Sequence, residues 1–228
     1  MAQFGSETEV LALIGDIVRS RELPDRAQVQ ERLGACVDAL AQRLPAGVVL
    51  AGPTLTAGDE VQLLLAPEGA SAAVQAIRLL DGAVRPARMS FGIGWGRLST
   101  PIEDGAQAPI GRLDGPCFHA ARSALEAARE QGRWVMTAGW STPSGAMILD
   151  GLFALLGHQR AGWTDKQAST VAAARDRMQK DVAEELGVQP SVVSERLKAA
   201  GFEACVAGER SAELLLAQLA GAGAERRE

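Results

Sequence analysis

The sequence predicts an α+β fold: a ferredoxin-like sheet with helices on one face, followed by a small all-α helix-turn-helix domain. Three observations lead there. The N-terminal part reads strand, helix, strand, strand, helix, strand, which is the split βαβ order. Two apolar runs, VLALIGDIVRSR over 10–21 and LTAGDEVQLLLAP over 55–67, each bring an aspartate to the end of a strand. After residue 160 only helical periodicity remains, in pieces cut by Gly187, Pro190 and Gly201.

The branched apolar run that stops at Gly15-Asp16 reads as a fully buried strand delivering one carboxylate to the sheet edge. Leu23-Pro24-Asp25-Arg26 opens a helix, and Val29, Leu33, Val37, Leu40 and Leu44 recur at three to four residues as its buried face. Pro45-Ala46-Gly47 stops it. Residues 48–55 form a strand, broken or bulged around Gly52-Pro53, that pairs with 61–65 across a hairpin at Gly58-Asp59-Glu60. A helix over 69–83 turns Val74, Ile77 and Leu80 inward, and MSFGIGWG over 89–96 alternates as a strand whose glycines allow close backbone approach. In this order the first strand neighbours the hairpin, so Asp16 and Asp59 are expected to meet.

A loop over 98–109, a helix over 115–131, a short strand over 134–137 and a helix over 142–157 complete a first domain, 1–160. The boundary falls within 157–162. In the second domain, 161–228, helices are expected over 165–178, 179–186 and 190–200, the last two joined by a turn at Gly187-Val188. Val182, Ala183, Leu186, Val188, Val193 and Leu197 make its core. The Ala/Gly-rich charged tail from Ala220 is expected to fray.

Composition narrows the function. The 228 residues are 47% hydrophobic, enough for one large domain or a medium one plus a small one. A net charge of -5 restricts any nucleic-acid binding to a local face. An aromatic fraction of 4% without Tyr argues against a stacking platform for single strands. Cys36, Cys117 and Cys205 lie far apart without CxxC spacing, which suits reduced thiols, and two histidines exclude a His-rich metal site. With no signal-peptide pattern and no run of about 18 apolar residues, a soluble, cytoplasmic protein is expected.

Asp16 and Asp59 are the first candidate site, because divalent cations need anionic oxygens converging from different parts of the chain. Each is also a natural turn or cap residue. The second candidate is the leading face of the 190–200 helix: Gln189, Ser191, Val192, Glu195, Arg196 and Lys198. In such motifs the start of the second helix enters the major groove of double-stranded DNA, where Gln reads adenine and Arg reads guanine or phosphate. The same apolar core would serve a protein-interaction module, and Asp181, Glu184 and Glu185 keep the local charge from being basic. His119, Cys117 and the alternating Gly92, Gly94 and Gly96 receive no chemical role.

The blocks IGDIVRSR, TAGDEVQLLL, FGIGWGRLST and LDGPCFHAAR, in this order and spacing, resemble the SatD family of bacterial proteins over roughly residues 10–200. The first three are also similar to class III nucleotide cyclases, whose palm-like domain holds metal aspartates in a DIxxS/T block and a GDxx hairpin. That resemblance implies Asp16 and Asp59 as ligands of Mg²⁺ or Mn²⁺, with Ile17 offering a backbone carbonyl. It implies Arg122, in HAAR, as the arginine that holds a polyphosphate or transition state; a pairing with a nearby carboxylate on its own helix is the other reading of that residue. It further implies a nucleoside triphosphate ligand and a homodimer.

Departures from the cyclase pattern decide between functions. The cyclase asparagine four residues before the arginine is Phe118, the adenine-selecting lysine four residues before the hairpin aspartate is Leu55, and its acidic partner has no counterpart near Gly111. Phe hydrogen-bonds neither a ribose nor a developing charge. The expectation is therefore a dimeric DNA-binding regulator with a nucleotide- and metal-sensing domain, spanning half-sites roughly 34 Å apart. The alternative is a metal-dependent nucleotidyl cyclase-type enzyme with Asp16, Asp59 and Arg122 as catalytic residues.

Overall fold

Strand β1 (Glu9–Ile17) occupies the middle of the sheet because both of its faces are apolar: every residue from 10 to 17 is buried. The computed structural model describes residues 8–56, 58–102, 109–175 and 177–224. β1 is followed by α1 (Arg26–Arg43), β2 (Val49–Thr56), β3 (Glu60–Leu65), α2 (Ala72–Val84) and β4 (Met89–Arg97). Then come α3 (Pro116–Glu130), β5 (Val135–Ala138), α4 (Pro143–Ala161), α5 (Asp165–Ala173), α6 (Gln179–Glu185), α7 (Pro190–Ala199) and α8 (Phe202–Ala224). The five strands lie in the order β2-β3-β1-β4-β5. β1 is antiparallel to both β3 and β4, and β5 is parallel to β4, so the α+β fold is built on a mixed sheet. The expected irregularity of β2 is present as register shifts between Val49, Ala51 and Thr54.

Helices cover both faces of the sheet, where the sequence reading placed them on one. Along β1, Leu11, Leu13 and Ile17 enter a core shared with α1, α2, α4 and α8, whereas Val10, Ala12 and Ile14 enter a second core closed by Cys117, Ala121 and Leu125 of α3. A strand apolar on both sides must be covered on both. The glycines of β4 determine how closely α3 can lie. A Cβ on Gly92 would sit 2.1 Å from the Ala121 carbonyl oxygen, and one on Gly94 would sit 2.1 Å from that of Cys117. Close approach was the expected role of these glycines; the missing inference was which helix used it.

Beyond α4, the helices α5, α6 and α7 share a core of Val171, Ala174, Val182, Ala183, Val193, Leu197 and Ala200, with Leu186 and Val188 half-buried beside it. The helix expected over 165–178 stops at Ala173, and the chain then turns so that Arg175 bonds Glu209 of α8 at 2.6 and 2.8 Å. Of the tail expected to fray from Ala220, residues 220–224 are instead helix with Ala220 buried, and 225–228 lie outside the described residues. Cys205, Ala212, Leu216, Leu219 and Ala220 of α8 belong to the main core with Leu149, Phe153 and Leu156 of α4. The 161–228 segment thus contributes its last helix to the core assigned to 1–160, and only α5 to α7 have a core of their own. Among the described residues no helix is long and apolar enough to cross a membrane.

Candidate functional site

At the edge where β1 ends, the ladder register sets Asp16 directly opposite Glu60 on β3 and Ser90 on β4. Period-two alternation puts Asp16, Glu60 and Gln62 on the face covered by α3. Asp59 lies one residue outside the ladder, in the hairpin turn, whose Gly58 carbonyl accepts a bond from Gln30 Nε2 of α1 at 2.8 Å. The carboxylate facing Asp16 across the ladder is Glu60, and Asp59 in the adjoining turn is near enough for its charge to act on Asp16 as well. Gly15 is required here because its Cβ would fall 2.5 Å from the Phe91 ring.

Each carboxylate has its own cation. Asp16 Oδ2 is 2.8 Å from an Arg129 guanidinium nitrogen. Glu60 receives Arg122 in a two-pronged contact, with Nη1 donating to Oε2 at 2.5 Å and Nη2 to Oε1 at 2.8 Å. Asp59 accepts from the Ser20 hydroxyl and lies 3.9 Å from Arg26. Arg122 and Arg129 stand seven residues apart on α3, two turns along one side of the helix. Arg122 thus pairs with a carboxylate, but one on β3 and not on its own helix as the alternative reading had it.

The environments of the two facing carboxylates differ. Burial pushes the Asp16 pKa up; the Arg129 charge pulls it back, and the charges of Asp59 and Glu60 push it up again, leaving it raised. Burial also acts upward on Glu60, but the hydrogen bonds from Arg122 and Gln62 and the charge of Arg122 outweigh it and hold the group below its ordinary value. Bonding to Glu60 in turn raises Arg122. Asp16 is thus shifted toward the protonated form and Glu60 toward the charged form, as burial among other acids and a bidentate arginine respectively should do.

As placed, these residues do not fit a resident divalent ion. Asp16, Asp59 and Glu60 are directed to three different cations, and among the described residues no group of three or more His, Cys, Asp or Glu could hold a metal. Ile17 places its side chain in the main core, on the face opposite Asp16. The two positions that depart from the cyclase pattern have packing roles. Leu55 lies against the main core and Phe118 against the second. Cys117 is buried with its pKa pushed up to about 11, chiefly by burial, which leaves no reactive thiolate. His119 is exposed, 3.3 Å from Asp114. Sequence reasoning missed Glu60 and Arg129 as members of the cluster. Counting the strand period through the hairpin would have put residue 60 on Asp16's face; nothing local marks Arg129.

The second candidate, α7, starts at Gln189 as N-cap, after a turn in which Gly187 has φ 63° and Val188 N–H donates to the Ala183 carbonyl at 3.0 Å. Gln189, Ser191, Glu195 and Lys198 are exposed, and Val192 and Arg196 are half-buried. Arg196 turns toward α5, its Nη1 3.5 Å from the Thr170 hydroxyl. The far end is anchored to the sheet layer: the Ala200 carbonyl accepts from Gln159 Nε2 and Trp163 Nε1, each at 2.9 Å.

Comparison with solved structures finds two chains described as a bacterial light-regulated adenylyl cyclase, at 14% identity. One has a TM-score of 0.43 and covers 57% of this chain and 43% of that one; the other has 0.42, 59% and 47%. This chain spans less than half the length of either. A regulator of polyketide synthase expression from Bifidobacterium adolescentis matches at 18% identity and a TM-score of 0.26, covering 98% of this chain and 88% of that one. No curated protein matches. The SatD family model matches residues 10–216, which include β1 from Val10 onward, the hairpin, the α3 arginines and all of α5 to α7, and the chain belongs to the SatD family.

Proposed function

We propose that this protein is a DNA-binding regulator in which α6 and α7 form a helix-turn-helix and α7 is the recognition helix. The observation that carries the reading is the mounting of α7. Its inner residues Val193 and Leu197 are buried in the three-helix core, its end is held by Gln159 and Trp163, and its leading polar residues Gln189 and Ser191 are exposed. Glu195 and Lys198 lie farther along the exposed side. With Arg196 turned toward Thr170, Lys198 is the basic side chain left to position the helix on phosphate, and Gln189 and Ser191 meet base edges. Met147, Ile148 and Leu155, exposed on one arc of α4, support association of two copies.

Selection of duplexes from a random pool at low salt, read by gel shift, tests this. Retained duplexes are expected to carry half-sites spaced by roughly 34 Å. Lys198→Ala should weaken binding to all sequences and flatten the salt dependence by about one unit, whereas Gln189→Ala should cost about 1–3 kcal/mol at the preferred site alone. Retention of no duplex at low salt sinks the regulator reading and leaves α5 to α7 as a protein-interaction module.

A sensing role for the Asp16 cluster is favoured by Arg122 and Arg129, two guanidiniums on one side of α3 held only by carboxylates. The ligand that competes for both is a nucleoside triphosphate arriving with its own Mg²⁺ or Mn²⁺, since phosphate takes the arginine forks and the cation meets the carboxylates so released. The packing roles of Leu55 and Phe118 favour such binding over cyclisation. Wild type is expected to gain thermal stability from triphosphate and metal together, and the Asp16→Asn, Asp59→Asn double variant to gain none. Equal gains in the two proteins would exclude this site.

A further inference from the structure

A cleft of about 760 Å³ opens between α1 and α2 on one side and the end of α4 with α5 on the other. Its lining carries five arginines, Arg43, Arg78, Arg85, Arg160 and Arg175, and one carboxylate, Asp165. The carboxylates behind the wall are already engaged. Asp81 holds Arg160 at 2.7 Å, and Glu209 alone receives Arg175 at 2.6 Å, Arg160 at 3.6 Å and Arg78 at 4.0 Å. Glu213 lies near enough to feel Arg78 and Arg175. Among the described residues lining the cleft, five guanidiniums thus accompany one carboxylate, Asp165, which is exposed.

Donors are also left over. The Nε groups of Arg160 and Arg175 are buried without a hydrogen-bond partner, and Arg160 is only 5% exposed. Such donors are costly to leave unpaired. Arg43 has no ion pair among the described residues. Arg85 donates from Nη2 to the Arg160 carbonyl at 3.0 Å and lies over the Trp163 ring; burial pushes its pKa down, so an anion beside it would be welcome. Between the arginines the wall is carbon, from Ala39, Leu79, Val171 and Ala172. The size suits a small molecule, and the planar fork of arginine suits carboxylate or phosphate.

We propose that this cleft binds a small organic anion, its carboxylate or phosphate held by Arg85 and Arg43, with the buried Arg160 charge behind them, its apolar body lying between α2 and α5. The site is separate from the Asp16 cluster and does not depend on the DNA-binding reading.

Melting temperature of the full chain is to be measured with phenyl phosphate, benzoate and inorganic phosphate, each against sodium chloride of equal ionic strength. Phenyl phosphate or benzoate is expected to raise it beyond the other two salts, with the two probes distinguishing phosphate from carboxylate. Hydrogen exchange should slow in 72–84 and 165–173. The gain should vanish in the Arg43→Gln, Arg85→Gln double variant. It should also vanish in Ala172→Glu, which adds a carboxylate at an exposed helical position of the same wall and leaves the core untouched. A gain no larger than that from inorganic phosphate, a gain retained in Ala172→Glu, or protection confined to β1 and β3 would overturn the proposal.

Discussion

Replacing Arg160 by Met is expected to lower the unfolding free energy by about 3–5 kcal/mol, read by urea denaturation near neutral pH. The Arg160 side chain is 6% exposed, bonded to the equally buried Asp81 at 2.7 Å and lying over the rings of Trp134 and Trp163 at 4.4 and 5.1 Å. Met replaces much of the packing volume but none of the charge. Asp81 would remain buried with the Met89 N–H, at 3.4 Å, to bond it and the Arg85 charge nearby. A buried charge deprived of its direct partner, and not the loss of a favourable contact, is the source of the penalty. The Asp81→Asn, Arg160→Met double variant should therefore recover part of the loss. A single-variant cost below about 1 kcal/mol, the range of exposed pairs, would show that water reaches this junction. The consequence extends to α7, because Gln159 and Trp163, which hold its end, flank Arg160 in the chain.

Gly94→Ala should cost about 3 kcal/mol, the upper end of ordinary overpacking. The added Cβ would lie 2.1 Å from the Cys117 carbonyl oxygen, 2.2 Å from the Ala121 nitrogen and 2.8 Å from the Ala121 Cα. All three are backbone atoms of α3, so no rotamer change relieves them and the helix must lift from the sheet. Lifting it draws Arg122 and Arg129 away from Glu60 and Asp16. Gly34→Ala is the control: that position lies within α1, and a Cβ there would meet nothing within 4 Å, so the change should stabilise by about 0.5–1 kcal/mol. Denaturation of both variants by urea, followed by far-ultraviolet dichroism, separates the clash from the general effect of removing a glycine. A Gly94→Ala protein as stable as wild type would mean that α3 is not seated on β4 as described.

Elements whose evidence is a short-range period were legible. β1 was readable from an unbroken apolar run, the hairpin from Gly58-Asp59, and the inner face of α1 from Val29, Leu33, Val37, Leu40 and Leu44, all five of which are buried. The core of α6 and α7 was likewise readable from Val182, Ala183, Val193 and Leu197. Of the candidate site, the strand-end carboxylate Asp16, the hairpin carboxylate Asp59 and Arg122 were visible as separate residues. Their partners were not, because an ion pair between a strand and a distant helix has no local signature.

The sequence by itself determined which segments up to α7 are strands and helices, apart from the end of α5, and that β1 lies next to the hairpin, since alternation, periodicity and turn residues act over a few positions. Tertiary structure alone decided the rest. It put α3 on the second face of the sheet, because three glycines of β4 leave room there for a helix backbone. It returned α8 to the main core, because Cys205, Ala212, Leu216 and Leu219 had apolar surface to bury and α4 offered a matching face. It gathered Arg160, Asp81, Arg175 and Glu209 at one junction, because charges drawn out of water must find one another wherever they lie in the chain.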